Sequence, residues 1–187
     1  RLIEDVRTLA HSESGSLALQ REPTDISVLV ADVVRSLSAQ AETSGVRLES
    51  RCAPDLPLAD LDPLRIREVL ANVVTNAVRH TPRGGQVVVD GRAEEGDLRL
   101  TVTDTGSGIA PADLPHVFDR FYKGRTSTGS GLGLAIARAL ILAHGGDIRA
   151  ISAGARLPVM FAVPWPPNAM VGTTSPRLGL SQHMTDI

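Results

Sequence analysis

The chain has 187 residues, 42% of them hydrophobic, enough for one domain with a real core and room for an appendage. A formal net charge of −2 leaves no basic face for nucleic acid, and 3% aromatic content leaves few stacking platforms for single strands. The single cysteine, Cys52, excludes an internal disulfide, and without a Cys/His cluster a structural zinc site has nothing to build on.

The chain opens on Arg1 without a signal-peptide pattern and reads as a piece of a longer polypeptide. In residues 1–13, Leu2, Val6 and Leu9 share a narrow helical stripe, which predicts a short helix that packs on another helix missing from this sequence, with docking on its own domain as the plainer alternative. Ser14, Gly15 and Ser16 break that pattern. R-E-P-T-D-I then reads as a short edge strand. Over 27–43, Leu29, Val30, Val33, Val34 and Leu37 recur at helical spacing, and Gly45 stands where a left-handed cap ends a helix. V-R-L-E-S-R alternates as a strand, with Cys52 at its end as a packed or idle thiol, and Pro54 and Pro57 mark a loop.

Asp62-Pro63 is a helix start, an N-cap acid followed by proline at the first helical position. That helix should run to about His80, before Thr81-Pro82, with an apolar stripe of Leu64, Val69, Leu70, Val73, Val74 and Ala77. R-G-G at 83–85 predicts a turn, and Q-V-V-V-D-G-R and D-L-R-L-T-V-T-D a strand pair. Residues 105–130 lack periodicity, and an irregular stretch that long in a compact domain is usually functional. Gly131–Ala143 predicts an apolar helix; interrupted by Arg138, this run falls short of the roughly 20 residues a bilayer span needs. D-I-R-A-I-S and P-V-M-F-A-V close the pattern as strands, and 168–187 should be a loosely ordered tail. Strands and helices alternating in blocks predict an α+β fold, a two-layer sandwich with a mixed sheet covered by helices on one face.

Three clusters carry chemistry. Asp104 ends a strand and is followed by Gly106 and Gly108. A carboxylate only accepts hydrogen bonds, so it suits a ring edge that offers an amino donor, as adenine does, and the glycines let a flat ring or a phosphate approach the backbone. A strand-end turn capped by its own Asp is the plain alternative. Gly129, Gly131 and Gly133 open the apolar helix, whose N-terminal N–H groups can bind an anion. Their spacing matches neither a dinucleotide fingerprint nor a P-loop, and Lys123, the sole lysine, follows Tyr122. Asn72 and Asn76, four apart on one helix, share a face with Glu68, Arg79 and His80 on or near it; their carboxamide oxygens suit Mg²⁺ that also carries phosphate and water.

In order and spacing these clusters resemble the nucleotide-binding boxes of the GHKL ATPase superfamily, and specifically the catalytic domain of bacterial sensor histidine kinases. Asn72–His80 resembles the N box, Asp104–Ile109 the first glycine box, Phe118–Tyr122 the F box and Gly129–Leu134 the second glycine box. The resemblance covers roughly residues 1–164 and implies a Bergerat-type ATP fold: the end of a dimerisation hairpin and linker at 1–20, the ATP-binding domain at 21–166 and a tail at 167–187. It implies that Asp104 receives the adenine amino group, with Gly106, Gly108, Ile109 and Phe118 around the base. Asn72 and Asn76 would hold Mg²⁺ and the phosphates, with Arg79 and His80 near them. Residues 109–130 would be a mobile ATP lid. Gly129, Gly131, Leu132 and Gly133 would line the phosphates, and Arg120 and Lys123 would meet the γ-phosphate on closure. One departure is the stretch Gly154–Phe161, where Pro158 cannot donate a ladder bond and so predicts a shortened sheet edge.

The same resemblance implies a two-component phosphotransferase on the cytoplasmic side of any membrane. Its partners would be a histidine-bearing hairpin, a response regulator and a second copy in the parent, with no nucleic acid. Phosphoacceptor histidines in this family stand in H-E-x-x-(T/N)-P. None of the five histidines here, His11, His80, His116, His144 and His183, has that context. The chain is therefore expected to bind ATP with Mg²⁺ and to phosphorylate a hairpin supplied separately. A protein-serine kinase or ATPase of another GHKL type, or a non-catalytic nucleotide-binding module, are the alternatives.

Overall fold

The structure, a computed structural model, describes residues 2–13, 17–94, 96–123, 129–151 and 157–164. In chain order its elements are α1 (Leu2–Glu13), β1 (Glu22–Thr24), α2 (Ile26–Ser44), β2 (Arg47–Cys52), β3 (Ala59–Leu61), α3 (Pro63–His80), β4 (Gln86–Glu94), β5 (Asp97–Asp104), a 3₁₀ turn at Leu114–His116, α4 (Gly133–Ala143), β6 (Asp147–Ala150) and β7 (Leu157–Pro164). The main sheet has the order β2-β4-β5-β7-β6. Its β2–β4 pair is parallel and the other pairs are antiparallel, so the sheet is mixed as expected.

The helices form where local chemistry starts and stops them. Asp25 Oδ1 accepts from the N–H groups of Ser27 (2.9 Å) and Val28 (3.2 Å) at the head of α2, and Gly45, at φ +70°, closes it. Asp62 does the same for α3, accepting from Arg65 N–H at 3.1 Å ahead of Pro63. The alternation of β5 sends Leu98, Leu100 and Val102 inward, where they meet the Ile66, Val69, Leu70, Val73 and Val74 face of α3 in one core. Truncating such a buried leucine costs about 2–5 kcal/mol. Between β4 and β7, β5 sits in the middle of the sheet, so its last residue, Asp104, is carried by the most constrained strand of the fold.

Several expectations need correcting. Leu64 does not belong to the buried stripe of α3; it is 72% exposed, because two residues before Ile66 it falls on the far side of the helix from Ile66, Val69, Leu70 and Val73. The Pro54–Pro57 loop leads into a strand, β3, which pairs antiparallel with β1 and buries Ala59 and Leu61; three residues are too few to show a period. The helix expected from Gly131 begins at Gly133, since Gly131 sits at φ +75°, outside helical space. Pro158 does not shorten its own strand. β7 pairs through all eight residues with β5, and Pro158 offers its carbonyl to Ile151 N–H at 3.0 Å. Its missing donor falls on the β6 side, where the four-residue edge strand stops. Of the two readings of α1, the structure shows docking on its own domain: the helix packs on α4, burying Thr8 and Leu9, while Ile3 and Val6 stay exposed. The expected tail at 168–187 lies outside the described residues, as do Gly154 and lid residues 124–128.

Candidate functional site

The alternation that buries Leu98, Leu100 and Val102 also carries Asp104 inward, where it is 3% exposed. Its Oδ1 accepts from Gly106 N–H at 2.8 Å; no hydrogen bond within the described residues occupies the second oxygen. Burial pushes this carboxyl above its ordinary range, partly offset by the Gly106 N–H and by His80. The turn tolerates nothing larger than glycine: a Cβ at 106 would press into the His80 carbonyl oxygen and lie 2.7 Å from Asp104 Oδ1. Asp104 therefore does cap its own turn, with one oxygen only. The half-buried His80 is held below its usual range by burial and by neighbouring Arg79, against a smaller opposing pull from Asp104, and is neutral at pH 7.

A cavity of about 330 Å³ opens where α3 meets the start of α4, and Asn72, Asn76, Arg79, Gly129, Gly131 and Gly133 are among its lining. The helical spacing of Asn72 and Asn76 puts both amides on this wall. Asn72 Oδ1 lies 3.6 Å from the place a Gly133 Cβ would occupy, so a side chain there would begin to fill the space above the amide. The first N–H groups of α4 have no intrahelical acceptors and give this end of the cavity a positive field. Within the described residues neither amide, nor the Arg79 guanidinium, makes a hydrogen bond or ion pair. Two half-buried amides and an exposed guanidinium, with no partner among the described residues, face one cavity and make it a candidate ligand site.

A second cavity, of about 350 Å³, is lined by Arg79, His80 and Gly106 together with Thr81, Thr105 and Ser107. Arg79 belongs to both. The loop between β5 and α4 is tied to the helix start by Phe121, whose N–H donates to the Gly131 carbonyl at 2.9 Å. Phe121 holds φ +59°, a left-handed conformation that a bulky residue adopts only when its surroundings impose it. A Cβ at Gly131 would come within 2.8 Å of the Phe121 backbone, so this junction needs its glycine.

The remaining expected residues divide plainly. Ile109 and Phe118 pack half-buried against the core, and Gly108, at φ +72°, turns the chain toward the loop. Leu132 is wholly buried and lines neither cavity; its N–H donates to Ser130 Oγ at 3.3 Å and its carbonyl accepts from Ile136 N–H at 2.8 Å. Arg120 and Lys123 are exposed on the loop and line neither cavity. Glu68, placed on or near the amide face, instead pairs with Arg65 at 3.1 Å and lines neither cavity. Sequence reasoning missed Thr75 and Tyr122 in the first cavity, and also Asp5, which α1 brings there. Thr75 could have been found from its place three residues after Asn72, on the same helical face; Asp5 could not, because a contact between segments far apart in the chain leaves no local pattern.

Fold and site together define an ATPase domain of the histidine-kinase type. Residues 61–173 match the family described as histidine kinase-, DNA gyrase B- and HSP90-like ATPase, and the chain belongs to that family. It is 36% identical over 96% of its length to the sensor protein DivL of Caulobacter vibrioides, covering 23% of that protein. It is 35% identical over 86% of its length to the histidine protein kinase DivJ of the same organism, covering 29%. The full-length ShkA structure in complex with AMPPNP superposes with a TM-score of 0.81 at 31% identity, over 88% of this chain and 35% of that one. The chain thus spans about a quarter of the length of the curated relatives it matches.

Proposed function

We propose that the chain is the catalytic ATP-binding domain of a two-component sensor histidine kinase, with residues 21–166 as the domain and 1–20 as hairpin end and linker. It would pass the γ-phosphoryl group of ATP to a histidine on a separate hairpin segment, from which a response regulator would receive it. One observation carries this reading: two carboxamides on α3, without a hydrogen-bond partner among the described residues, and the glycine-lined start of α4 face a single cavity; Asp104, at the end of the central strand, lines neither cavity. The AMPPNP in the related ShkA supports an adenine nucleotide as the ligand.

In this assignment Asp104 accepts from the adenine amino group and Gly106 keeps the floor thin enough for the ring. The α4 N–H groups and Arg79 neutralise the phosphates, and Asn72 and Asn76 offer neutral, hard oxygens to Mg²⁺. Among the described residues no group of three or more His, Cys, Asp or Glu could hold a metal alone. That fits a magnesium ion that arrives with the nucleotide and takes most of its remaining ligands from phosphate and water. When bound, it supplies charge neutralisation to the transferring phosphoryl group. The protein's own part is to hold the nucleotide in line and exclude alternatives, with little covalent work. Arg120 and Lys123, now outside the cavities, would act only after the loop closes.

The test has two arms. Titration with AMPPNP, with and without Mg²⁺, should show binding that Mg²⁺ strengthens. With γ-labelled ATP the chain alone should stay unlabelled, while an added hairpin fragment should acquire acid-labile phosphate. Label stable in acid would mean a serine acceptor, and no nucleotide binding at all would end the reading.

A further inference from the structure

The helix α1 supplies a wall of the cavity at the start of α4. Its Asp5 lines that cavity together with Asn72, Asn76, Arg79 and Gly133. Asp5 lies one turn before Leu9, on the same face, and Leu9 is buried with Thr8 where α1 rests on α4. Further along the chain, Gln20 N–H donates to Asp62 Oδ2 at 2.9 Å, and Arg21 donates to the His144 carbonyl at 3.1 Å. The helix itself is seated by a buried leucine. Asp5 is the one acid among the described residues that line this cavity, and no hydrogen bond or ion pair within the described residues engages it.

We propose that Asp5 is a residue of the nucleotide site and that, while α1 is docked, its carboxylate lowers the affinity of the site for polyphosphate. The inference rests on the nucleotide reading above. A cavity that offers two amides, a guanidinium and the N-terminal end of a helix is built to take an anion. A carboxylate facing the same space has the sign of the phosphates it meets. It repels them by day-to-day Coulomb interaction in a half-exposed site, worth on the order of tenfold in affinity for one like-charge contact. The effect belongs to the docked position of α1 and not to the charge alone, so moving the helix should release it. The rival role, a carboxylate ligand to the magnesium ion, predicts the opposite sign.

The experiment is calorimetric titration of the whole chain with AMPPNP, in Mg²⁺ and in chelator, and with adenosine as a ligand that has no phosphate. Asp5→Asn should tighten AMPPNP about tenfold in both conditions and leave adenosine unchanged. Leu9→Glu, which unseats α1, should tighten AMPPNP comparably, and Asp5→Asn added to it should give no further gain. Weaker binding of Asp5→Asn in Mg²⁺ alone would overturn the proposal in favour of a metal ligand. An equal gain for adenosine, fully additive gains in the double variant, or no change would each overturn it too. If the wild-type chain binds AMPPNP and Asp5→Asn does not alter that, only this inference fails. If neither protein binds adenosine or AMPPNP, the nucleotide reading fails and takes this inference with it.

Discussion

The two ends of α3 treat their polar groups in opposite ways. At its start, Asp62 Oδ1 accepts from Arg65 N–H and its Oδ2 from Gln20 N–H. The Asp62 N–H donates to His144 Nε2 at 3.2 Å, and His144 Nδ1–H donates to the Leu140 carbonyl at 2.7 Å. These pairings fix the histidine as the neutral tautomer protonated at Nδ1. Asp62 and His144 are both buried, and every polar atom of the pair has a partner. Toward the other end, Asn72, Asn76 and Arg79 face open space without partners in the described residues. Buried polar groups that satisfy one another hold a fold together; polar groups left unmatched around a cavity await a ligand.

That contrast breaks if the two ends respond alike to mutation. The largest effect should come from Asp104→Asn, which keeps the acceptor for Gly106 N–H but sets an amide donor against the adenine amine. A loss of tens- to hundreds-fold in AMPPNP affinity, about 2–3 kcal/mol, should appear by calorimetry with the urea midpoint unchanged or raised, since the buried charge is costly. His144→Ala should do the reverse. Opening a hole and orphaning the Asp62 N–H should cost about 2–3 kcal/mol in urea unfolding, with nucleotide affinity per folded molecule preserved. A pH series sharpens the same distinction. Burial, chiefly, holds His144 below the ordinary value of 6.5, so the unfolded chain binds a proton that the native one refuses. Its contribution is full above about pH 6.5 and is lost as pH falls below it; His144→Ala should flatten that part of the stability profile. The smallest effect is expected from Leu64→Ser, within about 0.5 kcal/mol, because the side chain is exposed although it lies in the first turn of α3, next to Asp62.

Much of the site was legible because its motifs are local. Asn72 and Asn76 share a face through helical spacing alone, and Asp104 follows from the period of β5. The mixed sheet with helices on one face followed from the order of strands and helices. What escaped was set by partners distant in the chain. β3 forms because β1 pairs with it. The place of Pro158 within β7, rather than at an edge, depends on which strand lies on each side. Nothing around His144 in the sequence marks its role, because its partner Asp62 stands 82 positions away.

The sequence by itself determined most of the elements, the four stretches that resemble nucleotide boxes and the lack of a histidine in phosphoacceptor context, since each is written in neighbouring residues or in residues one helical turn apart. Only the tertiary structure decided that both amides face a common cavity, that Asp104 caps its own turn through one oxygen, and that α1 brings Asp5 to the cavity of Asn72 and Asn76. Those depend on the packing of α1, α3 and α4 around one sheet, and packing is a property of surfaces that meet in space, which no local pattern of residues records.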